Sequence, residues 1–301
     1  MLLGLHSGTF KNIGSRRPTW YLDRAAQAGL RGVQFAADQL PQEDITALYA
    51  LRAQAEERGL FIEVHGTGSE PEPLALTIRT AHTLGARVLA LSLGKERPPE
   101  PDEFEAQMHN AANDVRRIAP RARRYGVFLA IENSRDLTSR ELVRFLGAVD
   151  DDQVGVCFDT GNPLAVMEDP VAAAEALAPY ALSVHAKDYQ VMPAAAGVTL
   201  VSCPTGEGNV DVGRALKEVF KNNPAIHVAI ETPTERIEVP CLEEEFLRRF
   251  TDRLPQDLAV LLRIARPGAS QGETLSCEER FDRSVSAAKQ MVGEASLPLE
   301  L

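Results

Sequence analysis

The sequence predicts a single (β/α)8 barrel over residues 1–301, with a helical insertion after its eighth strand. Three observations support this fold class. Eight short apolar runs alternate with longer amphipathic stretches. Most of these runs are nearly continuous in aliphatic residues, which is typical of parallel strands covered on both faces. The length of 301 residues also fits such a barrel, since the usual size is about 250 residues.

The predicted strands and helices follow one another in regular alternation. The strands are 2–6, 30–35, 60–65, 86–93, 127–132, 153–159, 181–187 and 226–231. Helical periodicity occupies 18–29, 42–59, 73–85, 138–149 and 211–222, with a longer loop predicted at 189–210. A doubly wound sheet is the main alternative, but it normally has fewer strands and often a glycine-rich phosphate turn. Neither a GxGxxG turn nor a P-loop is present, so the closed barrel is favoured.

More chain follows the eighth strand than one closing helix requires. The amphipathic stretch 277–293 can close the barrel, which makes 232–276 an insertion in the last βα loop. Two short helices are predicted in it, around 242–250 and 255–265. Because βα loops project over the catalytic face of such barrels, the insertion could be a lid or a pocket wall. A helical appendage on the solvent side, or a contact in a homo-oligomer, explains it equally well.

Charge and composition exclude several classes of function. The formal net charge is −11, which leaves no basic field for a phosphate backbone, so we expect no nucleic-acid partner. No apolar run reaches the roughly 18 residues of a membrane span, and the N-terminus does not resemble a signal peptide. The four cysteines form no CxxC pair, which argues against disulfides and thiolate zinc sites. We therefore expect a cytoplasmic protein with reduced thiols.

Ionisable residues recur at the carboxyl ends of four neighbouring predicted strands. They are Glu132, Asp159, His185 and Glu231. In a (β/α)8 barrel these strand ends surround the catalytic mouth. Carboxylates gathered there would repel one another unless a cation neutralised them. Three carboxylates and one imidazole suit one divalent ion, for which we expect Mn²⁺, with Mg²⁺ or Co²⁺ as alternatives.

Five short motifs resemble a known family, the xylose-isomerase-like barrels of sugar phosphate isomerases and epimerases. The motifs are IEN at 131–133, FDTGN at 158–162, HAKD at 185–188, GEGNVD at 206–211 and IET at 230–232. The resemblance covers residues 2–231 and the last helix. It implies a (β/α)8 fold, a keto-sugar or polyol substrate, and a single divalent metal held by Glu132, Asp159, His185 and Glu231.

The chemistry expected of this site begins with proton removal next to a carbonyl. A divalent metal bound to the carbonyl and an adjacent hydroxyl acidifies the α C–H bond, and a carboxylate abstracts the proton to give an enediolate. Glu132 and Glu231 are the candidates for the acid/base pair. Return of the proton to the opposite face gives an epimer, and its return to the neighbouring carbon gives an isomer. Loss of a β-leaving group, water or CO₂ would instead make the protein a lyase.

Other residues are weaker candidates for substrate binding. His65 and His6 end predicted strands, Lys187 and Asn162 follow the expected ligands, and Trp20 could face a sugar ring. Each of them also has an ordinary structural explanation, as a core histidine, an ion-paired lysine or a core tryptophan.

Three other functions compete with an isomerase or epimerase. The endonuclease branch of this fold superfamily needs a histidine three residues after Asp159, where this chain has Asn162. A lyase remains the main alternative, because the same enediolate serves it and no arginine follows His185 in AKDYQVMP, as it does in some epimerases. A non-catalytic binding barrel is the third, although all four ligand positions are filled.

Overall fold

The computed structural model describes residues 1–14, 16–251, 255–265 and 275–296. Its strands are β1 (Leu2–His6), β2 (Gly32–Ala36), β3 (Phe61–Thr67), β4 (Val88–Ser92), β5 (Phe128–Glu132), β6 (Val154–Asp159), β7 (Ala181–Ala186), β8 (Asp188–Ala194), β9 (Gly197–Cys203), β10 (His227–Ile230) and β11 (Arg236–Val239). Its helices are α1 (Pro18–Gln27), α2 (Ile45–Glu57), α3 (Pro71–Thr83), α4 (Pro101–Tyr125), α5 (Ser139–Val149), α6 (Pro170–Leu177), α7 (Val212–Asn222), α8 (Glu244–Arg248), α9 (Pro255–Ile264) and α10 (Cys277–Ser296).

Parallel pairing in the order β1–β10–β7–β6–β5–β4–β3–β2 closes a barrel, which confirms the predicted fold class. Every predicted strand overlaps one of these barrel strands. Helix boundaries follow local capping. For example, α2 begins at Ile45 rather than at the predicted residue 42, because the Asp44 side chain accepts the backbone N–H of Ala47 at 2.9 Å. None of the helices among the described residues is long and apolar enough to cross a membrane.

Alternate residues of each barrel strand face inward, and small side chains pack together in the interior of the barrel. Ala90, Ala130 and Cys157 form their own buried cluster there, while the large apolar core lies between the strands and the surrounding helices. At the amino end of the barrel, Gly32 makes room for an aromatic ring. A Cβ atom at Gly32 would lie 2.4 Å from ring atoms of Phe61, so a side chain could not be accommodated without moving that ring.

The prediction of a loop at 189–210 is wrong for residues 189–203, where β8 and β9 form an antiparallel hairpin. Strand β11 extends the hairpin into a three-stranded sheet, so the segment 232–276, predicted as an insertion with two short helices, also contributes a strand. Asp188 fixes the base of this hairpin. Its carboxylate accepts backbone N–H groups of the glycine turn that follows β9, including Gly206 and Gly208, both at 2.9 Å. The loop thereby packs against the barrel mouth.

Arg97 attaches helix α8 beside the mouth. Its guanidinium lies between the rings of Phe104 and Phe250, 3.6 Å and 4.2 Å from their centroids. It also forms a buried ion pair with Glu141 at 2.7 Å and donates from Nε to the backbone oxygen of Arg249 at 2.8 Å. Because Arg97 follows β4 and Arg249 follows α8, these contacts hold the segment after the last barrel strand against the carboxyl end of the barrel.

Candidate active site

Four side chains predicted to bind a metal converge at the carboxyl end of the barrel. Glu132, Asp159, His185 and Glu231 are all buried, and each offers one donor atom within 4.8 Å of the others. His185 is at the centre, with its Nδ1 atom 3.3 Å from Glu132 Oε1 and 3.2 Å from Glu231 Oε2. The same nitrogen lies 3.8 Å from Asp159 Oδ2. The sequence-predicted set is therefore brought together in space.

Strand register explains this convergence. Asp159 pairs directly with His185 across β6 and β7, and Glu132 pairs with Cys157, two residues before Asp159. An irregularity in the β6–β7 ladder between Val156 and Cys157 shifts the register just before the mouth. Such irregularities often occur next to active sites, where they re-aim a side chain.

Asp159 is the least satisfied member of the four. Its Oδ1 atom accepts the backbone N–H groups of Gly161 and Asn162, both at 2.8 Å. Its Oδ2 atom is buried and has no hydrogen-bond partner among the described residues. Burial is the main cause that raises the pKa of Asp159 to about 7. The Lys187 ammonium opposes this rise, whereas the nearby Glu231 and Glu132 carboxylates reinforce it. An oxygen of this kind is suited to a cation.

The other members hold one another in charged forms. Burial alone would raise the pKa of Glu132, but contacts with His185 and His65 hold it well below its usual range. Burial alone would also raise the pKa of Glu231. The neighbouring charged groups, of which the Lys187 ammonium has the largest effect, hold that pKa well below its usual range. Burial would lower the pKa of His185, yet its neighbours raise it well above the ordinary value.

These residues fit a divalent cation. Three carboxylates and one imidazole nitrogen form a donor set suited to Mn²⁺, Mg²⁺ or Co²⁺. Asp159 Oδ2 accepts no hydrogen bond from the described residues, and its nearest cationic group is Lys187 Nζ at 3.7 Å. His6, His65 and His185 form a second group whose donor atoms also lie within 4.8 Å of one another. That group has no carboxylate, so charge compensation favours the first. The assignment of ligands stays a prediction.

His6 and His65 form a hydrogen-bonded pair that leads to Glu132. Burial lowers the pKa of His6 to about 3, so its ring is neutral. His6 Nδ1 accepts the N–H of Gly8 at 3.1 Å, so His6 Nε2 carries the proton and donates to His65 Nδ1 at 3.0 Å. His65 Nε2 must then carry a proton, and it lies 3.3 Å from Glu132 Oε2. The two histidines therefore place a ring nitrogen within 3.3 Å of the candidate base, although His65 Nε2 makes no hydrogen bond to the described residues.

The remaining candidates divide between the mouth and a separate aromatic group. Asn162 donates to Glu132 Oε1 at 3.3 Å, and Lys187 Nζ lies 3.4 Å from Glu231 Oε1. Trp20 instead packs edge-on against Phe10, with ring centroids 5.1 Å apart. Its contact with a sugar stays a prediction, as do the substrate roles of His6, His65, Lys187 and Asn162.

The sequence-based prediction missed Glu235 and Tyr189, which complete the surroundings of Lys187. Glu235 Oε1 lies 3.1 Å from Lys187 Nζ and accepts the Tyr189 hydroxyl at 2.5 Å. Arg135 Nη1 donates to the other Glu235 oxygen at 3.1 Å. Glu235 lies after the eighth barrel strand in a stretch without a distinctive motif, so only the folded chain reveals its proximity to the mouth.

A cavity of about 450 Å³ adjoins the cluster. Its walls come from the loops after β4 and β5 and from α8, and its charged lining residues are Lys95, Glu96, Arg97, Arg135, Asp136 and Arg249. Ser134 connects the cavity to the candidate site, since its Oγ atom donates to Glu132 Oε2 at 3.3 Å. A substrate held at Glu132 could therefore extend into this space.

Comparison with known proteins identifies the family. The sequence model of a protein family described as the xylose isomerase-like TIM barrel matches residues 22–253 of this chain. The chain belongs to this family. A 3-oxo-isoapionate decarboxylase from Pectobacterium atrosepticum is 24% identical over 219 residues, which cover 70% of this chain and 75% of that relative. The predicted resemblance is thus confirmed.

Solved structures show the same fold. The D-psicose 3-epimerase of Clostridium cellulolyticum H10, crystallised with D-tagatose, has a TM-score of 0.68 at 16% identity and covers 98% of this chain and 99% of its own. A xylose isomerase-like TIM barrel protein of Mycobacterium smegmatis, in complex with magnesium, has a TM-score of 0.61 at 18% identity, with coverages of 88% and 98%. An epimerase and a protein in complex with magnesium therefore share this fold.

Proposed function

We propose that this chain is a metal-dependent isomerase or epimerase that moves a proton at the carbon next to the carbonyl of a keto-sugar or cyclitol. The observation that carries the proposal is the convergence of Glu132, Asp159, His185 and Glu231, whose donor atoms lie within 4.8 Å of one another. Carboxylates in such a group serve both to hold a cation and to exchange protons with a substrate.

The proposed ligands are Glu132, Asp159, His185 and Glu231, with Mn²⁺ as the expected ion and Mg²⁺ or Co²⁺ as alternatives. When bound, the ion would polarise the substrate carbonyl and stabilise the negative charge that develops on its oxygen. The orphaned Asp159 oxygen and the position of His185 Nδ1 between Glu132 and Glu231 support this assignment.

Glu132 is the proposed base. Its Oε2 atom accepts from Ser134 Oγ and its Oε1 atom accepts from the Asn162 amide, both at 3.3 Å, so these two donors hold the carboxylate in place. His65 Nε2 also lies 3.3 Å from Oε2. After Glu132 removes the proton from one face of the substrate carbon, Glu231 takes up a proton from water and delivers it to the opposite face, which inverts that centre; Glu132 then releases its proton to water. Return at the adjacent carbon would exchange the carbonyl and the hydroxyl instead.

Lys187, His65, Asn162, His6 and Trp20 are the proposed substrate-binding residues. Lys187 is the best supported of them, because its ammonium lies between Glu231 and Glu235 at the mouth, within 3.4 Å of both. There it can donate a hydrogen bond to a substrate oxygen while its charge balances the carboxylates. The segment 232–276, part of which lies against the mouth through α8, is proposed to form a wall or lid over the bound substrate.

A lyase acting on a related keto-polyol is the second candidate. Two observations favour it: one relative is a decarboxylase, and cationic side chains line the cavity beside Glu132. Lys95, Arg135 and Arg249 make ion pairs there with partly exposed carboxylates, which are weak interactions that an anionic substrate group could replace. Proton removal by Glu132 would then be followed, or replaced, by loss of a leaving group or CO₂.

Proton exchange followed by NMR in D₂O tests the proposal. The protein would be incubated with Mn²⁺ or Mg²⁺ and a panel of keto-sugars, inososes and 3-keto-glycosides. We expect deuterium to enter one carbon together with a new epimer or isomer, whereas an unsaturated or shortened product would identify a lyase. Glu132→Gln should reduce turnover by about 10³-fold or more with the fold retained.

Glu175→Gln is the matched control for this experiment, because Glu175 lies on helix α6 with a half-exposed side chain. It should retain the wild-type rate. Full activity of Glu132→Gln would exclude Glu132 as the base.

A further inference from the structure

A chain of buried polar side chains runs through the barrel from the candidate metal cluster towards its amino end. It begins at His185, continues through Gln34 on β2 and Glu63 on β3, and ends at His227 on β10. Gln34 and Glu63 are buried in the centre of the barrel, where most neighbours are small or apolar. Buried polar groups in such a place are costly unless each is paired, so their arrangement is strongly constrained.

The direction of each hydrogen bond follows from the Glu63 end. The Glu63 carboxylate accepts from Ser183 Oγ at 2.8 Å and lies 2.8 Å from His227 Nδ1. Its Oε2 atom also accepts the amide N–H of Gln34 at 2.9 Å. Since the Gln34 amide nitrogen faces this carboxylate, the Gln34 carbonyl oxygen must face the other way, towards His185.

The Gln34 carbonyl determines which nitrogen of His185 is free. Gln34 Oε1 lies 2.6 Å from His185 Nε2, and a carbonyl oxygen can only accept. His185 Nε2 must therefore carry a hydrogen, which leaves the Nδ1 lone pair available in the neutral ring. Nδ1 is the atom that faces Glu132, Asp159 and Glu231.

We propose that Gln34, held by Glu63, positions His185 and selects the tautomer that binds the divalent ion. The inference rests on the proposed metal site, and it adds Gln34 and Glu63 to that site as positioning residues that touch neither substrate nor ion. Such partners of a ligating histidine fix its ring orientation, and their loss typically weakens metal binding 10- to 100-fold.

The far end of the chain is held by stacking. His227 lies flat on the Phe61 ring, with centroids 3.8 Å apart and an interplanar angle of 15°. Gly32 leaves space for that ring, as described above. His227 therefore keeps its Nδ1 atom directed at Glu63, and the orientation of Glu63 does not depend on the metal cluster.

Titration of metal-free protein with Mn²⁺ alone, followed by isothermal calorimetry, tests the inference without any substrate. Gln34→Leu should weaken Mn²⁺ binding about 10- to 100-fold. Gln153→Leu is the matched control, because Gln153 is also a buried glutamine but its amide donates to the Val127 backbone oxygen. This control should bind Mn²⁺ like the wild type, even if both variants lose thermal stability.

A double variant separates positioning from general damage. In Q34E/E63Q the carboxylate and the amide exchange places, so the residue at position 34 again accepts from His185 Nε2 and again pairs with position 63. We expect its Mn²⁺ affinity to return to within a few-fold of wild type. The visible absorption spectrum of bound Co²⁺, which reports ligand geometry, should change in Gln34→Leu and return in the double variant.

The outcomes are distinguishable from failure of the proposed function. If the wild type binds no Mn²⁺, the proposed metal site is wrong, and this inference is wrong with it. If the wild type binds but Gln34→Leu binds equally well, the metal site stands and the positioning role is refuted. Equal weakening in Gln34→Leu and Gln153→Leu would also refute it, because the loss would then reflect damage to the barrel.

Discussion

Two buried carboxylates inside the same barrel have opposite surroundings. Glu63, in the middle of the barrel, accepts hydrogen bonds from Gln34 and Ser183 and pairs with His227. Asp159, at the mouth, faces two further carboxylates, and its Oδ2 atom accepts no hydrogen bond from the described residues, with the Lys187 ammonium 3.7 Å away. Both oxygens of Glu63 therefore have polar partners, whereas only one oxygen of Asp159 accepts hydrogen bonds from the described residues.

This difference separates a structural charge from a functional one. A buried carboxylate that the protein itself satisfies stabilises one arrangement of its neighbours. At the mouth, neighbouring groups favour the charged forms of Glu132 and Glu231, whereas burial disfavours the charged form of Asp159. A bound cation would offset that cost at Asp159, and the interior network lies beneath it.

Removal of the satisfied carboxylate should have the largest effect on stability. Glu63→Leu leaves Gln34, Ser183 and His227 without their shared acceptor, so we expect the free energy of unfolding to fall by about 3–5 kcal/mol. Urea denaturation measures this change. Asp152→Asn serves as the control, because the Asp152 side chain is 85% exposed and its ion pair with Arg123 contributes little. A loss below 1 kcal/mol in Glu63→Leu would contradict the comparison.

Removal of a negative charge at the mouth should instead stabilise the metal-free protein. In metal-free protein near pH 8, Asp159→Asn removes one of three crowded charges and keeps an oxygen to accept from Gly161 and Asn162. We expect it to raise the free energy of unfolding by roughly 1–3 kcal/mol, and to abolish any stabilisation by added Mn²⁺. Thermal unfolding with and without Mn²⁺ measures both effects. A destabilised metal-free variant would show that Asp159 is satisfied without an ion.

Asp136 should make the free energy of unfolding depend on pH. Burial is the main cause that raises its pKa to about 6, and its Oδ1 atom lacks a partner among the described residues. The folded protein therefore retains a proton that the unfolded chain releases near pH 4, so stability falls as the pH rises from about 4 to about 6. Asp136→Asn lacks this loss. Its unfolding free energy at pH 8 should exceed the wild-type value by roughly 1–2 kcal/mol, with the gain shrinking towards pH 4.5. A gain independent of pH would refute the assignment.

The barrel and the four converging residues were predictable because both depend on local, periodic signals. Continuous apolar runs identify buried parallel strands, and an acid or histidine at the end of each run must lie at the mouth. The hairpin of β8 and β9 was not predicted. Its strands follow directly from the mouth of β7, and the backbone hydrogen bonds to Asp188 that fix it join residues about 20 positions apart.

The supporting network was missed although a signal was present. Gln34 and Glu63 are polar residues between apolar neighbours in the strands predicted at 30–35 and 60–65. Each interrupts a run that should be buried, so each needs a partner inside the barrel. Which partner it finds depends on the parallel register of β2 with β3, where Gln34 lies directly beside Glu63. That register is a property of the closed barrel rather than of either strand alone.

The most direct test of the central claim is the anomalous diffraction signal of Mn²⁺ in crystals of this protein. The account predicts a single peak among Glu132, Asp159, His185 and Glu231, close to Asp159 Oδ2, which accepts no hydrogen bond from the described residues. A peak among His6, His65 and His185, which also lie close enough together to bind an ion, would contradict it. So would crystals in which the four residues remain in place and no peak appears between them.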